Sequence, residues 1–133
     1  MSIKVGILGA TGRMGAHLIK NVSEDGALEL AAVHVYDELT QPLPKEVLVT
    51  NSIRALLEAS DVIIDFSAPA ATQALCEEAM AIPRGLVIAT TGLSQHQKNL
   101  IEEAARLMPV LYASNMSAGI ALLKQLVERS RRH

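Results

Sequence analysis

Short apolar runs alternate along this chain with segments in which an apolar residue recurs every three or four positions. The runs at 3–8, 28–35, 61–66, 86–90 and 109–113 predict buried strands, and 47–49 predicts at most a short one. Helical spacing predicts helices around 14–22, 52–59, from 67 onward, 94–107 and 117–131. The polar segment 36–46 contains two prolines and is predicted to be a loop.

This strand–helix alternation predicts an α/β fold. We expect a Rossmann-type, doubly wound parallel sheet with helices on both faces, forming a single three-layer domain over residues 1–133. Half of the residues are hydrophobic, but the aromatic residues are only Phe66, Tyr36 and Tyr112, so the core should be aliphatic.

Composition excludes several classes of function. The net charge of -2 comes without a basic stripe, which argues against a nucleic-acid partner. No apolar run approaches the roughly 20 residues that span a bilayer, and no signal-peptide pattern opens the chain, so we expect a cytoplasmic protein without a membrane partner. The single cysteine, Cys76, lies in a helical pattern and is predicted to be a packed thiol, and no Cys/His spacing predicts a metal site.

The first candidate for chemistry is a glycine-rich turn between the first strand and the first helix, with the sequence GATGRMG from Gly9 to Gly15. Glycines let a backbone approach a pyrophosphate, and a helix N-terminus offers free N–H groups to it. The spacing is one residue longer than the dinucleotide fingerprint. Arg13 opposes the helix dipole, which an anionic ligand would compensate. The alternative is a plain turn that needs small residues.

An acidic residue that binds ribose hydroxyls should follow the second strand. Asp37 and Glu38 are the candidates, but Val35 or Tyr36 could equally occupy the position, so the choice between NADH and NADPH stays open.

Three further polar turns follow predicted strands: Asp65–Pro69, Thr90–Gly92 and Ser114–Ser117. Ligands of an open parallel sheet bind beyond the carboxyl ends of its strands, so these turns and the glycine turn should line one crevice. The alternative is ordinary helix capping, for which Ser67, Ser94 and Ser117 are suitable.

The strings GATGRMG, VIIDFSAP, VIATTGLS and ASNMSAGI resemble, in order and spacing, motifs of the bacterial dihydrodipicolinate reductase family of lysine and diaminopimelate synthesis. The resemblance implies that NADPH or NADH passes hydride to a cyclic imine-derived dicarboxylate. It implies a small-molecule dinucleotide as partner and these cofactor-binding residues: Gly9, Ala10, Thr11, Gly12, Arg13 and Met14 at the phosphates; Ala89, Thr90, Thr91, Ala113, Ser114, Asn115 and Met116 towards the nicotinamide; and Asp37 and Phe66.

The chain departs from that family in three ways. Ala89 replaces a usual Gly and would crowd the cofactor, and Ala121 replaces an Asn near the domain hinge. The family's catalytic stretch, a His-His pair with Lys and an Asp-x-x-Ser-Gly-Thr segment, does not occur, so no catalytic residue is predicted, and His96 should be exposed. We expect the substrate domain to be absent, the chain to bind dinucleotide without turning over substrate, and homo-oligomers to require the full-length protein.

Three alternatives remain open from the sequence. The chain could belong to another NAD(P)-dependent dehydrogenase, such as a semialdehyde or homoserine dehydrogenase. It could be a non-catalytic nucleotide-sensing or CoA-binding module, or a structural remnant that binds nothing.

Overall fold

The computed structural model describes residues 2–9, 12–35, 46–113, 118–119, 121 and 123–125, with the backbone only at 12–14. Ten elements follow one another between residues 3 and 112. They are β1 (Ile3–Leu8), α1 (Gly12–Glu24), β2 (Leu28–His34), β3 (Leu48–Thr50), α2 (Ile53–Ala59), β4 (Val62–Asp65), α3 (Pro69–Ala79), β5 (Gly85–Ile88), α4 (Gln95–Ala105) and β6 (Val110–Tyr112).

The six strands form one parallel sheet in the order β3-β2-β1-β4-β5-β6. This order, in which the chain first builds outwards in one direction and then in the other, is that of the Rossmann fold. The fold prediction is therefore confirmed, and β1 and β4 are the central neighbours at which the direction of building reverses.

Two apolar clusters cover the two faces of the sheet. Residues alternate between them along each central strand: Leu8, Ile63 and Ile88 face one cluster, while Ile7 and Ile64 face the other. The first cluster packs against α2, α3 and α4, and the second against α1 and Leu123. Every buried apolar residue in the described part of the chain is aliphatic, Met or Cys, which confirms the aliphatic core and the three layers.

Gly6 in β1 leaves the space into which Ser60, at the end of α2, packs. A Cβ atom at Gly6 would come within 2.3 Å of the Ser60 Oγ and 2.8 Å of the Ile63 side chain. The Ser60 hydroxyl instead donates to the Leu56 carbonyl at the end of the helix, at 2.8 Å. Any larger residue at position 6 would therefore push α2 away from β1.

The helix starts differ in how well the sequence predicts them. Ser94 followed by Gln97 three residues later predicts a capping box at the start of α4, and the structure has it. The Ser94 hydroxyl accepts from the Gln97 N–H at 3.2 Å, and the Gln97 amide oxygen accepts from the Ser94 N–H at 2.9 Å. Helix α3 starts at Pro69 with Ala68 as its N-cap, so the suggestion that Ser67 caps this helix is wrong. The Ser67 hydroxyl instead donates to the Asp65 carboxyl.

The exposure of single side chains and the last helix can also be compared with the predictions. Cys76 is fully buried, as predicted, and His96 is exposed. The apolar spacing of the sequence also predicts Ala105 on the inner face of α4, but Ala105 is exposed and is the last residue of the helix. The last predicted helix agrees with the helical backbone at 118–119, 121 and 123–125. Its other residues lie outside the described ranges.

Candidate functional site

The candidate site lies where β1 and β4 end side by side. Leu8, the last residue of β1, pairs with Asp65, the last residue of β4. The helices that follow, α1 and α3, pack on opposite faces of the sheet. Divergence of two helices from neighbouring parallel strands opens a crevice at the carboxyl edge, which is the usual ligand site of such sheets.

Gly9 fixes the floor of this crevice. Its φ of 97° is one that residues with a side chain rarely adopt. A Cβ atom there would lie 3.2 Å from the Ser67 N and Cα atoms and 3.3 Å from the Phe66 carbonyl carbon. The turn after β1 therefore rests directly on the backbone of the turn after β4, and the structure brings the predicted residues Gly9 and Phe66 together.

Helix α1 begins at Gly12, so Arg13 and Met14 belong to its first turn, as the glycine-rich sequence indicates. No acidic residue occupies that turn. The free N–H groups of a helix start carry partial positive charge, and a carboxylate there would compete with an anionic ligand. Ala10 and Thr11 lie outside the described residues, as do the side chains at 12–14.

The turn after β5 forms the next part of the edge. The Ala89 N–H donates to the Asp65 carbonyl at 2.7 Å, and the Ala113 N–H donates to the Ile88 carbonyl at 2.8 Å, so the three strand ends are tied in sequence. Ala89 is only 7% exposed, which leaves little of its methyl group to crowd a ligand. Thr90 is buried and Thr91 is exposed.

Three other predicted residues, Ser114, Asn115 and Met116, lie outside the described ranges, and so does Asp37. What the structure does describe near Asp37 is the end of β2, where His34 is buried. Burial lowers the pKa of His34, and a backbone hydrogen bond with Asn51 acts in the opposite direction.

Asp65 belongs to a predicted turn, but its own role is one that sequence reasoning missed. Its carboxyl group is fully buried and accepts from the Ser67 N–H at 2.9 Å. It is also hydrogen-bonded to the Ser67 hydroxyl at 2.5 Å, to the Thr72 hydroxyl at 2.6 Å and to the Thr90 hydroxyl at 3.2 Å. Burial raises the pKa of Asp65, and the hydrogen bonds from Ser67, Thr72 and Thr90 oppose that rise. The sequence signal that could have identified this role is an acidic residue directly after three apolar residues of a buried strand.

A second depression lies at the opposite end of the sheet. It is a groove of about 750 Å³ near the amino ends of β1 and β2, with Lys4, Glu29 and Leu48 in its lining. Ligands of open parallel sheets bind at the carboxyl ends of the strands, so topology favours the crevice at Gly9.

The described part of the chain offers no cluster of three or more His, Cys, Asp or Glu side chains placed to bind a metal ion. Within the same residues, no helix combines the length and hydrophobicity that crossing a membrane requires.

Comparison with known families identifies this arrangement. The family described as dihydrodipicolinate reductase, N-terminus, matches residues 3–116. The chain belongs to the dihydrodipicolinate reductase family. The matched range contains the whole described crevice, from the Gly9 turn to Ala113.

Individual dihydrodipicolinate reductases extend the match. The 4-hydroxy-tetrahydrodipicolinate reductase of Sulfurovum sp. is 71% identical over 126 residues, which cover 95% of this chain and 49% of the relative. That of Aliarcobacter butzleri is 50% identical over 127 residues, covering 94% and 49%. The chain thus spans about half the length of the curated reductases that it matches.

Solved structures show the same fold. A dipicolinate-bound dihydrodipicolinate reductase from Paenisporosarcina sp. superposes with a TM-score of 0.70 at 24% identity, covering 83% of this chain and 47% of that one. An apo scyllo-inositol dehydrogenase from Lactobacillus casei reaches a TM-score of 0.67 at 18% identity, covering 84% and 36%. The fold is therefore shared between dihydrodipicolinate reductases and other oxidoreductases.

Proposed function

We propose that this chain is the NAD(P)H-binding domain of a 4-hydroxy-tetrahydrodipicolinate reductase. The observation that carries the proposal is the Gly9 turn, which packs on the backbone of Ser67 where the sheet changes its direction of building. The substrate domain that completes the reaction lies, in this proposal, outside residues 1–133. Family membership supports the reductase assignment, since the curated relatives carry that name.

The residues present suit a dinucleotide. The first turn of α1 lacks acidic residues, and its N–H groups with Arg13 would bind the pyrophosphate. Ala10 and Thr11 would complete that turn. Phe66, which is half-buried, offers an aromatic surface at the rim of the crevice. Gly9 keeps the floor flat because it carries no side chain.

The other end of the crevice would hold the nicotinamide. When bound, the reduced cofactor supplies the hydride for the reaction, and the protein supplies position and electrostatics. Thr90 is hydrogen-bonded to Asp65, while Thr91 is exposed and could donate to the ligand. Ala89, Ala113, Ser114, Asn115 and Met116 would form the wall beside the ring. Asp37, after β2, would contact the adenine ribose.

Either NADPH or NADH fits this description, since the segment after β2, which would also lie near a 2′-phosphate, is outside the described residues. Arg13 is the basic residue we expect to contribute to any NADPH preference. A tenfold preference would correspond to roughly 1.4 kcal/mol.

The experiment is a calorimetric titration of the purified chain with NADPH, NADH and CoA, followed by an assay of substrate reduction. We expect saturable binding of a reduced dinucleotide, no measurable turnover and no preference for CoA. The matched variants are Gly9→Ala, which should weaken binding, and Gly26→Ala at an open turn, which should not. Preferred binding of CoA, or turnover by the chain alone, would contradict the proposal.

A further inference from the structure

The Asp65 carboxyl is buried, and the described residues place no cation beside it. Asp65 is 0% exposed, and its four hydrogen-bond partners among the described residues are one backbone N–H and three hydroxyl groups. Among the described residues, no Lys, Arg or His side chain bonds to it. The Arg54–Glu78 ion pair lies on the exposed surface and does not involve Asp65. A buried carboxylate without an opposite charge is costly, so the group is expected to take up a proton.

Counting hydrogens leads to the same conclusion. Five oxygens lie in one chain of contacts: the Ser67, Thr72 and Thr90 hydroxyls and the two oxygens of Asp65. They make four O···O contacts, which are Ser67–Oδ1 at 2.5 Å, Thr72–Oδ2 at 2.6 Å, Thr90–Oδ1 at 3.2 Å and Thr72–Thr90 at 2.8 Å. A separate hydrogen bond at each of the four contacts needs four hydrogens, and three hydroxyls supply only three.

We propose that Asp65 is protonated at neutral pH and closes a hydrogen-bonded ring with Thr72 and Thr90 that positions the cofactor-binding turns. The Asp65 Oδ2–H donates to Thr72, Thr72 donates to Thr90, and Thr90 donates back to Oδ1. The Ser67 N–H and hydroxyl also donate to Oδ1. Every contact then holds one hydrogen.

This ring joins three parts of the crevice. Thr72 lies in the first turn of α3, Thr90 in the turn after β5, and Ser67 in the turn on which Gly9 rests. If Asp65 lost its proton, Thr72 would have to donate to the carboxylate, and the single hydrogen of Thr90 could fill only one of its two contacts, with Thr72 or with Oδ1. Thr90 would loosen, so this inference, which rests on the proposed function, makes Asp65 a positioning residue for the cofactor.

The surroundings of Asp65 contain one other titratable group that faces it among the described residues, the Cys76 thiol on α3. Burial, with the nearby Asp65 and Glu77, raises the pKa of Cys76 to about 11, so this thiol stays neutral throughout the neutral range. Strands β1 and β5 place Leu8 and Ile88 beside Asp65. Loss of the Asp65 proton would therefore be the titration that changes this ring.

The protonation is tested directly by carbon-13 NMR of the aspartate carboxyl groups as a function of pH. The chain has four aspartates, and Asp65→Asn identifies the resonance of Asp65. Asp61→Asn, at the exposed position just before the same strand, is the matched control. We expect the Asp65 signal at its protonated position at neutral pH. Titration of all four signals below about pH 5, the ordinary range for Asp, would overturn the inference.

The positioning role needs a readout that involves the cofactor. Affinity of the wild-type chain for NADPH or NADH should fall as pH rises through the Asp65 titration, whereas that of Asp65→Asn should not follow this titration. Thr72→Val should weaken binding about fivefold, the effect of one hydrogen bond, and Thr72→Ser should restore it. Identical pH profiles for wild type and Asp65→Asn, or no effect of Thr72→Val, would refute the positioning role.

The two experiments separate the two proposals. If no dinucleotide binds at any pH, the proposed function fails while the NMR titration still decides the protonation of Asp65. If Asp65→Asn does not fold, as circular dichroism would show, Thr72→Val identifies the carboxyl resonance through its shift, and the same criterion applies.

Discussion

Replacing Gly9 by Ala tests whether the glycine is required by its own backbone and by its neighbour. The residue has φ of 97°, and an added Cβ atom would meet backbone atoms of Ser67 at 3.2 Å. The unfavourable φ costs about 1–2 kcal/mol. Crowding against backbone, which cannot rotate away, adds about 1–3 kcal/mol. We therefore expect Gly9→Ala to lower the free energy of unfolding by about 2–5 kcal/mol, a large part of the ordinary 5–15 kcal/mol.

Two other glycines separate these contributions. Gly92 has φ of 76°, but an added Cβ atom would meet nothing within 4 Å, so Gly92→Ala should show the conformational cost of about 1–2 kcal/mol alone. Gly26 has open space and no such φ, so Gly26→Ala should be neutral or stabilise the chain by up to about 1 kcal/mol. The difference between the Gly9 and Gly92 variants measures the contact between the turns.

The assay is urea unfolding followed by far-ultraviolet circular dichroism, because the chain contains no Trp for fluorescence. With a slope of about 2 kcal/mol per molar urea, a loss of about 3 kcal/mol moves the midpoint by about 1.5 M. If Gly9→Ala costs no more than Gly92→Ala, the turn after β1 does not rest on Ser67, and the derivation of the crevice fails with it.

Three further predictions concern other parts of the fold. The lowered pKa of His34 means that its protonation is disfavoured in the folded state, so the free energy of unfolding should decrease as pH falls below about 6.5. In urea unfolding measured at several pH values, His34→Asn should reduce this decrease, whereas the exposed control His96→Gln should not. Ser94→Ala removes the α4 capping box and should cost about 1 kcal/mol in thermal unfolding, while a Ser94→Asp variant that restores the cap should recover most of it, and no recovery would argue against capping. The Arg84 Nε donates to the Leu57 and Ser60 carbonyls at 3.0 and 2.8 Å, so Arg84→Met should lower the free energy of unfolding by about 1–3 kcal/mol. Arg54→Met should lower it by only about 0–1 kcal/mol, because the pair of Arg54 with Glu78 is exposed. Equal losses for the two variants in urea unfolding would contradict this distinction.

The elements and their order could be predicted because buried parallel strands are continuous apolar runs. The runs at 3–8 and 61–66 needed no tertiary information to be identified as strands. Gly9 was predicted from its local context, a glycine between a strand and a helix. Its contact with Ser67 was not predictable, since it depends on β4 being the neighbour of β1, across more than 50 residues of chain.

Asp65 shows why the rest of the site could not be predicted. Its partners Thr72 and Thr90 lie 7 and 25 residues away, and each alone is an ordinary polar residue at a helix start or a strand end. Ser67 matched the pattern of a helix cap, but the buried carboxyl two residues earlier competes for its hydroxyl and N–H. The hydrogen bonds of Asp65 and of Ser67 both depend on the burial of the Asp65 carboxyl, which the local sequence does not specify.

The position of β1 between β2 and β4 also has a consequence for synthesis on the ribosome. One side of β1 can pair with β2 early, but the Lys4 N–H that bonds to the Asp61 carboxyl must wait for a partner 57 residues later. At about 5–20 residues per second, this interval is about 3–11 s. During that time β1 exposes an unpaired strand edge, which can bind other chains. The nascent two-stranded unit should therefore be the stage at which this protein depends most on a chaperone.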